Sequence, residues 1–367
     1  KSLKRTKNKK PYVFYDGPPF ATGTPHYGHI LGSVTKDIFG RFWTMKGRYV
    51  RRVWGWDCHG LPIENIAEKG LGINSKDEIE KIGVKKFNGY CRSKVMSFAH
   101  EWEKTIERIG RWVDMKNAYK TMDNEYIESV WWAFKQLWDK GYIYEGEKVL
   151  MYCPRCSTPL AKAEIAMDNS YRKIKEDSVC VEFKLKDENT YVLAWTTTPW
   201  TLPSNLALAV NPNLDYVYVK DKLHNKVYLI ARGALNDFFK NRKHEVIKEI
   251  KGRKLEGKSY EPLFNYFKNT KNAFKILLGD FVSSEEGTGI VHTAPAFGED
   301  DYALCKNYDI PLVQPVDEKG RFTSEVKDFN GKFVHDSNKE IIEFLRKGNK
   351  VFMIKRIEHE YPFCYRC

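Results

Sequence analysis

The chain has 367 residues, a length that suits two or three domains rather than one. Its formal net charge of +13 fits a polyanionic partner, although a solvated basic surface would give the same value. No apolar run reaches about 18 residues, which excludes a transmembrane helix, and the basic segment 1–10 lacks the apolar stretch of a secretory signal. Four of the eight cysteines form two C-x-x-C pairs. This pattern indicates a reducing, cytoplasmic location and metal binding.

The first predicted elements are a strand at 12–15, a turn at 16–23 and a helix that ends at Gly47. The sequence Pro25-His26-Tyr27-Gly28-His29 stands where this helix begins. A helix start has unpaired N–H groups and a positive dipole end, so it attracts anions. The glycine permits close approach, and two imidazoles can hydrogen-bond phosphate oxygens. This pattern predicts a nucleotide-phosphate site, with two polar residues on a loop as the alternative.

A second segment, residues 51–64, follows the helix and adds a strand and a polar loop. Strand, histidine turn, helix and strand make a βαβ unit, whose loops meet at the carboxyl ends of the strands. This context favours the phosphate site over the plain loop. The next clear helix, from Asp123 to Gly141, carries a broad apolar stripe and is predicted to lie in the core without a chemical role.

Two cysteine pairs stand far apart in the sequence, Cys153 with Cys156 and Cys364 with Cys367. Four thiolates in two such pairs fill a tetrahedral zinc site and leave no open position. The spacing fits the two ends of a stalk from which the intervening residues loop out. The alternatives are two unrelated reduced pairs or two half-sites completed by other residues.

The residues between the cysteine pairs read as short strands and turns, followed by a helix at 338–347. The predicted strands are 178–185, 191–196, 206–210, 216–219, 226–231 and 289–292. The lysine-rich and arginine-rich stretch 240–258 is interpreted as an exposed face, with RNA contact as the second reading. These patterns predict a β-rich insert.

Two motifs in this insert carry candidate chemistry. The first, residues 195–205, reads Trp-Thr-Thr-Thr-Pro-Trp-Thr-Leu-Pro-Ser-Asn and forms a rigid turn lined with hydroxyls. The second, residues 287–301, contains a glycine-rich strand entry, His292 and an acidic cluster. Hydroxyls, a histidine and a carboxylate suit a small α-amino ester, whose ammonium the carboxylate would take. Plain strand propensity and a solvated acidic turn remain the alternatives.

With these motifs, the whole chain resembles the first part of the class I aminoacyl-tRNA synthetases, and within them the isoleucyl branch. The sequence motifs Thr-Thr-Thr-Pro-Trp and Gly-Trp-Asp-Cys-His-Gly-Leu-Pro favour the isoleucyl branch over the valyl and leucyl branches. The resemblance implies an α/β fold: a Rossmann-like nucleotide-binding half with an inserted β-rich editing domain on a zinc-bearing stalk. The implied domains are the catalytic half at 1–150 and the editing domain at 176–355. Between and after them lie the outgoing stalk at 151–175 and the returning stalk at 356–367, each with one C-x-x-C pair, or zinc knuckle.

The same resemblance implies roles for individual residues in binding ATP, the amino acid and zinc, and in editing. His26, Gly28 and His29 would hold ATP, with the histidines catalytic, while Pro18 and Asp57 would bind the amino acid. The expected editing residues are Thr196, Thr197, Thr198, Asn205, His292 and Asp301, and the expected zinc ligands are Cys153, Cys156, Cys364 and Cys367.

The resemblance also implies ATP with magnesium and zinc as cofactors. It implies isoleucine and its tRNA as substrates, valine as the edited amino acid, no membrane partner, and a monomer. The second family signature, K-M-S-K-S, and an anticodon-binding domain do not occur in the chain, which is therefore interpreted as an N-terminal part. The competing functions are a free-standing aminoacyl-tRNA deacylase, a zinc-containing RNA-binding module and another nucleotidyltransferase; the threonine-rich insert argues against the last.

Overall fold

The computed structural model describes residues 2–167, 170–365 and 367. The chain forms two compact units, one ending at Gly146 and the other running from Glu147 to Tyr365 with Cys367. Both helices and strands are present, so the chain has a mixed α/β fold. Within the described part of the chain, no helix has the length and apolar composition needed to cross a bilayer.

The first unit is mainly helical around one short parallel strand pair. Its elements are α1 (Ser2–Thr6), α2 (Tyr27–Met45), β1 (Val53–Trp56), α3 (Leu61–Leu71), α4 (Lys76–Ile82), α5 (Val84–Lys94), α6 (Ala99–Arg108), β2 (Asp114–Lys120) and α7 (Asn124–Asp139). Strands β1 and β2 run parallel, with Val53 opposite Asp114 and Trp56 opposite Lys120. Trp54, Trp56 and Trp102 meet at ring distances of 5.4–6.0 Å and form its core.

The predicted strand at 12–15 is wrong. This segment is extended, but its contact with a neighbour is a single parallel bridge from Pro11 to Tyr49, beside the hydrogen bond from Tyr12 N–H to the Tyr49 carbonyl. Tyr12 packs on Trp43 at 4.8 Å, whereas Val13 and Tyr15 are exposed. An apolar run has strand propensity, but a strand needs a partner along its length, which the sequence does not reveal.

The helix predicted from Asp123 to Gly141 is confirmed as α7, but its predicted place in the core is wrong. Trp131, Trp132 and Trp138 are 73%, 66% and 57% exposed, and no residue of α7 is buried. Apolar periodicity shows which face of a helix is apolar; it does not show what packs there.

The second unit is β-rich, as predicted. Its elements are β3 (Met151–Cys153), β4 (Thr158–Leu160), α8 (Lys162–Ile165), β5 (Tyr171–Lys184), β6 (Thr190–Thr196), β7 (Ala207–Val210), β8 (Asp215–Asp221), β9 (Lys226–Ala231), α9 (Leu235–Phe239), β10 (His244–Lys251), β11 (Lys275–Leu278), β12 (Ile290–Thr293), α10 (Glu299–Asn307), α11 (Asn338–Lys347) and β13 (Val351–Pro362). The six predicted strands are confirmed as β5 to β9 and β12, and the helix at 338–347 is α11. Strands β3, β4, β10, β11 and β13 were not predicted.

The two larger sheets of this unit share a core, and β3 pairs with β4 in a third, two-stranded sheet. One has the strand order β10-β8-β9-β6-β5-β13 and the other β11-β7-β12. Val181 and Val192 from the first sheet and Leu208 and Ile276 from the second lie in one cluster and are fully buried. Each such side chain contributes about 1.5–3 kcal/mol by burial. The core therefore fixes β6, β7 and β12 next to one another, and these strands carry the two motifs of the insert.

Candidate functional sites

The two histidines of the first unit cap the helix that they precede. His26 is the N-cap residue of α2, and its Nδ1 accepts the Gly28 N–H at 3.1 Å. Nδ1 of His29 accepts the His26 N–H at 3.3 Å, which completes a reciprocal capping arrangement. The rings stack at 3.6 Å between centroids. A Cβ on Gly28 would lie 3.0 Å from Cε1 of His26, so this position requires glycine's small size.

This cap determines which nitrogen of each neutral ring carries its proton. Because both Nδ1 atoms accept hydrogen bonds, the proton of each neutral imidazole resides on Nε2. Burial and the nearby His26 lower the pKa of His29 from its usual value, so that ring is neutral at pH 7. The helix start therefore offers two Nε2–H donors, which suit the oxygens of a phosphate group.

The loop that carries Pro18 is held against the residue expected to bind the amino acid. Asp57 donates its N–H to the Pro19 carbonyl at 2.9 Å, and Phe20 and Asp57 form a parallel bridge. The other end of the loop is fixed by Trp102, whose Nε1–H donates to the Gly23 carbonyl at 2.7 Å. The structure thus places Asp57 against Pro19, the residue that follows Pro18.

Sequence reasoning missed the ion pairs that hold this loop. The Asp16 carboxylate is nearly buried and pairs with Arg111, which is also buried, and with Lys36. A buried carboxylate without such partners would be costly. Arg111 is far from Asp16 in the sequence and has no local signal, so its role could not have been predicted.

In the second unit, the threonine-rich turn and β12 meet through a chain of hydrogen bonds. Thr196 ends β6, and its Oγ1 accepts the Thr198 N–H at 3.1 Å. Thr198 Oγ1 lies 3.2 Å from Thr196 Oγ1, and Thr197 between them is half-buried. Thr201, which was not among the expected residues, donates to the Thr198 carbonyl at 2.8 Å and contacts His292 Nε2 at 2.7 Å.

His292 is buried inside this network. Its Nδ1 lies 3.0 Å from Nδ2 of Asn205, and Tyr260 donates its hydroxyl to Oδ1 of Asn205 at 2.7 Å. Burial lowers the pKa of His292 to about 4, so the ring is neutral at physiological pH. Asn205 and His292 are brought together as part of one polar cluster, and Tyr260 joins them without any signal in its local sequence.

Asp301 lies in the first turn of α10, in the segment next to this cluster. Its Oδ2 accepts the N–H of Ala294 at 2.9 Å. Ala294 follows His292 by two residues in the chain. Phe297, in the loop between them, packs on Trp200 of the threonine-rich turn at 4.7 Å. Burial, assisted by the Asp300 charge, raises the pKa of Asp301 to about 6. Among residues 2–167, 170–365 and 367, no basic side chain forms an ion pair with Asp301.

The four knuckle cysteines come together in the second unit. The sulfur atoms of Cys153, Cys156, Cys364 and Cys367 all lie within 4.8 Å of one another. Sγ of Cys153 is 3.6 Å from Sγ of Cys367. Tetrahedral zinc with Zn–S bonds of about 2.3 Å separates its sulfur ligands by about 3.8 Å, so the donor set and spacing fit this metal.

The class of protein is shown by comparison of the chain with known protein families. A family model described as tRNA synthetases class I (I, L, M and V) matches residues 1–344, and the chain belongs to this family. Three curated relatives are isoleucine--tRNA ligases. The protein of Treponema denticola is 46% identical over 100% of this chain and 36% of its own length. The protein of Bdellovibrio bacteriovorus is 49% identical over 98% of this chain and 34% of its own length. The protein of Chlamydia trachomatis serovar D is 47% identical over 100% of this chain and 35% of its own length.

The chain thus spans about a third of the length of the relatives it matches. Among solved structures, GlLeuRS-CP1 covers 50% of this chain and 99% of its own, with a TM-score of 0.38 and 16% identity. The editing domain of P. knowlesi cytosolic leucyl-tRNA synthetase covers 49% and 96%, with a TM-score of 0.35 and 15% identity. Likeness at this level carries no argument for function.

Proposed function

We propose that this chain is the N-terminal part of an isoleucine--tRNA ligase that also edits its product. The observation that carries the proposal is the 46–49% identity to isoleucine--tRNA ligases across 98–100% of the chain. The first unit, about residues 1–150, is the first half of a Rossmann-like catalytic domain. Residues 151–175 and 356–367 form the two sides of a stalk, and residues 176–355 are the editing domain. The ligase works in the cytoplasm as a monomer.

The first unit provides half of the site that activates isoleucine with ATP and magnesium. His26 and His29 donate from Nε2 to the phosphates, and charge that develops there in the transition state is stabilised most. Gly28 leaves room for the approach of the nucleotide. Pro18 lines the amino-acid pocket, and the carboxylate of Asp57 binds the α-ammonium of isoleucine.

The second unit removes valine that has been joined to the isoleucine tRNA. One methylene is worth only about 1–3 kcal/mol in an apolar pocket, a range established on synthetases of this very kind rather than derived from this chain. A second site that hydrolyses the valyl ester supplies the missing discrimination. Asp301 binds the ammonium of the ester, while the hydroxyls of Thr196, Thr197 and Thr198 hold the ribose or position a water. Asn205 and His292 shape this site.

The decisive test is deacylation of the two charged forms of the isoleucine tRNA by the purified 367-residue chain. We expect valyl-tRNA to be hydrolysed and isoleucyl-tRNA to be spared. A chain that binds both tRNAs and hydrolyses neither would favour the zinc-containing RNA-binding module. The 367-residue chain could also hydrolyse valyl-tRNA while the complete protein shows no isoleucine-dependent pyrophosphate exchange. That pair of results would identify a free-standing deacylase.

We also propose that Cys153, Cys156, Cys364 and Cys367 bind one structural zinc, which ties the two sides of the stalk together. A closed tetrahedral thiolate site stabilises the fold and has no catalytic position. Metal analysis of the purified chain should find about one zinc per molecule, and Cys156→Ser should lose it. The control, Cys91→Ser, changes a half-buried thiol of the other unit and should retain the metal. Two metal ions per chain, or none, would contradict the shared site.

A further inference from the structure

The polar cluster around His292 contains a hydrogen-bond chain that has one direction. Its first member, Tyr260, is fully buried and packs edge-on against Phe183 at 5.2 Å and Phe274 at 6.0 Å. The Tyr260 hydroxyl donates to Oδ1 of Asn205 at 2.7 Å. Since the whole Tyr260 side chain is buried, the amide oxygen is the acceptor that keeps its hydroxyl from being buried without a partner.

The second member, the Asn205 amide, has its orientation fixed from two sides. Nδ2 donates to the Ala207 carbonyl at 2.8 Å, and a carbonyl can only accept. The Tyr260 hydroxyl meets the other side of the amide. Turning the amide over would place oxygen against oxygen at Ala207 and leave the tyrosine facing a donor. The remaining Nδ2–H therefore points at Nδ1 of His292, 3.0 Å away.

The third member, His292, is thereby held in one tautomer. Nδ1 accepts from Asn205, so in the neutral ring the proton lies on Nε2 and is donated to Oγ1 of Thr201 at 2.7 Å. Thr201 in turn donates its hydroxyl to the Thr198 carbonyl at 2.8 Å. The chain begins at a buried tyrosine and ends on the backbone of the threonine-rich turn.

We propose that Tyr260 is a positioning residue of the editing site: it fixes the Asn205 amide, which fixes the tautomer of His292, which holds the threonine-rich turn in its hydrolytic geometry. This inference rests on the proposed editing function. Tyr260 touches no substrate. Its effect is transmitted through four hydrogen bonds, and removing its hydroxyl leaves the Asn205 amide held from one side only, by the Ala207 carbonyl, which weakens its preference for one orientation.

The test compares Tyr260→Phe with Tyr228→Phe in the 367-residue chain. Tyr228 is a matched control because it is also buried, lies in a different hydrophobic cluster from Tyr260, and donates its hydroxyl to Glu182 at 3.1 Å. In Tyr260→Phe we expect kcat for valyl-tRNA hydrolysis to fall about five- to tenfold, the value of one lost neutral hydrogen bond, with KM unchanged. Tyr228→Phe should keep the wild-type kcat.

A second measurement reads the tautomer directly and does not depend on activity. In chain labelled with ¹⁵N-histidine, the His292 signals, assigned by their loss in His292→Gln, should show a single Nε2–H form. Tyr260→Phe should show a mixture of tautomers, and Tyr228→Phe should match wild type. An unchanged kcat together with an unchanged tautomer in Tyr260→Phe would overturn the proposal, as would an Nδ1–H form in wild type. If the wild-type chain hydrolyses no valyl-tRNA, the proposed function and the positioning role both fail, and the nitrogen signals still decide the hydrogen-bond chain.

Discussion

Replacing His26 with Asn should lower isoleucine-dependent pyrophosphate exchange by about 10²–10³-fold in the complete ligase, while leaving the start of α2 intact. Asn is among the best N-cap residues, so its side-chain oxygen can replace Nδ1 as the acceptor of the Gly28 N–H. The variant removes the imidazole Nε2–H, which we propose stabilises phosphate charge in the transition state. Loss of one such donor costs about 10²–10³ in rate.

Two further variants separate this chemical role from capping. His26→Ala removes both the cap and the donor, so it should show the same loss of exchange and an additional destabilisation of about 1 kcal/mol. His29→Gln places a residue favoured at the third helical position, which keeps a partner for the His26 N–H and also removes an imidazole. Normal exchange in His26→Asn would show that the histidines serve only as caps.

Replacing Asp301 with Asn should abolish most of the editing and make the chain more stable at pH 7.5. The amide oxygen still accepts the Ala294 N–H, so the local structure is kept. The charge-assisted contact to the substrate ammonium is lost, which corresponds to about 1.5–3 kcal/mol or roughly a tenfold to hundredfold slower hydrolysis. Deacylation of valyl-tRNA by the two purified chains measures this effect.

The gain in stability follows from the raised pKa of Asp301. The folded-state pKa is about 6, and an unfolded aspartate has a pKa of about 3.9. The folded state therefore holds its proton more tightly, so the free energy of unfolding falls as pH rises from about 4 to 6 and stays lower above that. Because the side chain is half-buried and partly screened by solvent, we expect about 1–2 kcal/mol of this cost at neutral pH. Asn has no such cost.

The pH dependence of hydrolysis provides the check on this assignment. Wild-type activity should fall as pH decreases through about 6, where Asp301 becomes protonated, and the variant should lack this inflection. Asp300→Asn is the matched control, since it removes the same charge from an exposed neighbour and should retain most of the activity. Equal hydrolysis by wild type and Asp301→Asn would place the editing carboxylate elsewhere.

His292 affects acid stability in the opposite sense. Its folded pKa of about 4 lies below the usual value near 6.5, so the unfolded state binds more protons between those values. Stability contributed by the neutral ring is lost as pH falls through this range, while Asp301 gains stability over much of it. The two contributions oppose each other in wild type. Asp301→Asn should therefore show a steeper loss of stability between pH 6 and 4.

Much of the second unit could be predicted from the sequence alone. Its strands carry β-branched and aromatic residues in short runs bounded by turn residues, and six of them overlap the predicted strands, although β5 begins seven residues earlier than predicted. The spacing of cysteines within the two C-x-x-C pairs predicts a tetrahedral set of four thiolate ligands. The structure brings the four sulfur atoms together. The helix start at the paired histidines could be predicted because helix boundaries depend on local sequence, whereas the capping hydrogen bonds of the two rings were not predicted.

Tertiary structure decided what depends on partners far apart in the chain. The segment 12–15 has strand propensity but lacks a strand along its length, and the apolar face of α7 is exposed. Arg111 reaches Asp16, and Tyr260 reaches Asn205, across long stretches of sequence. Local sequence determines propensity and chemical type. The burial of Tyr260 and the tautomer of His292 arise only when distant residues enclose the same few ångströms, and they are therefore properties of the fold.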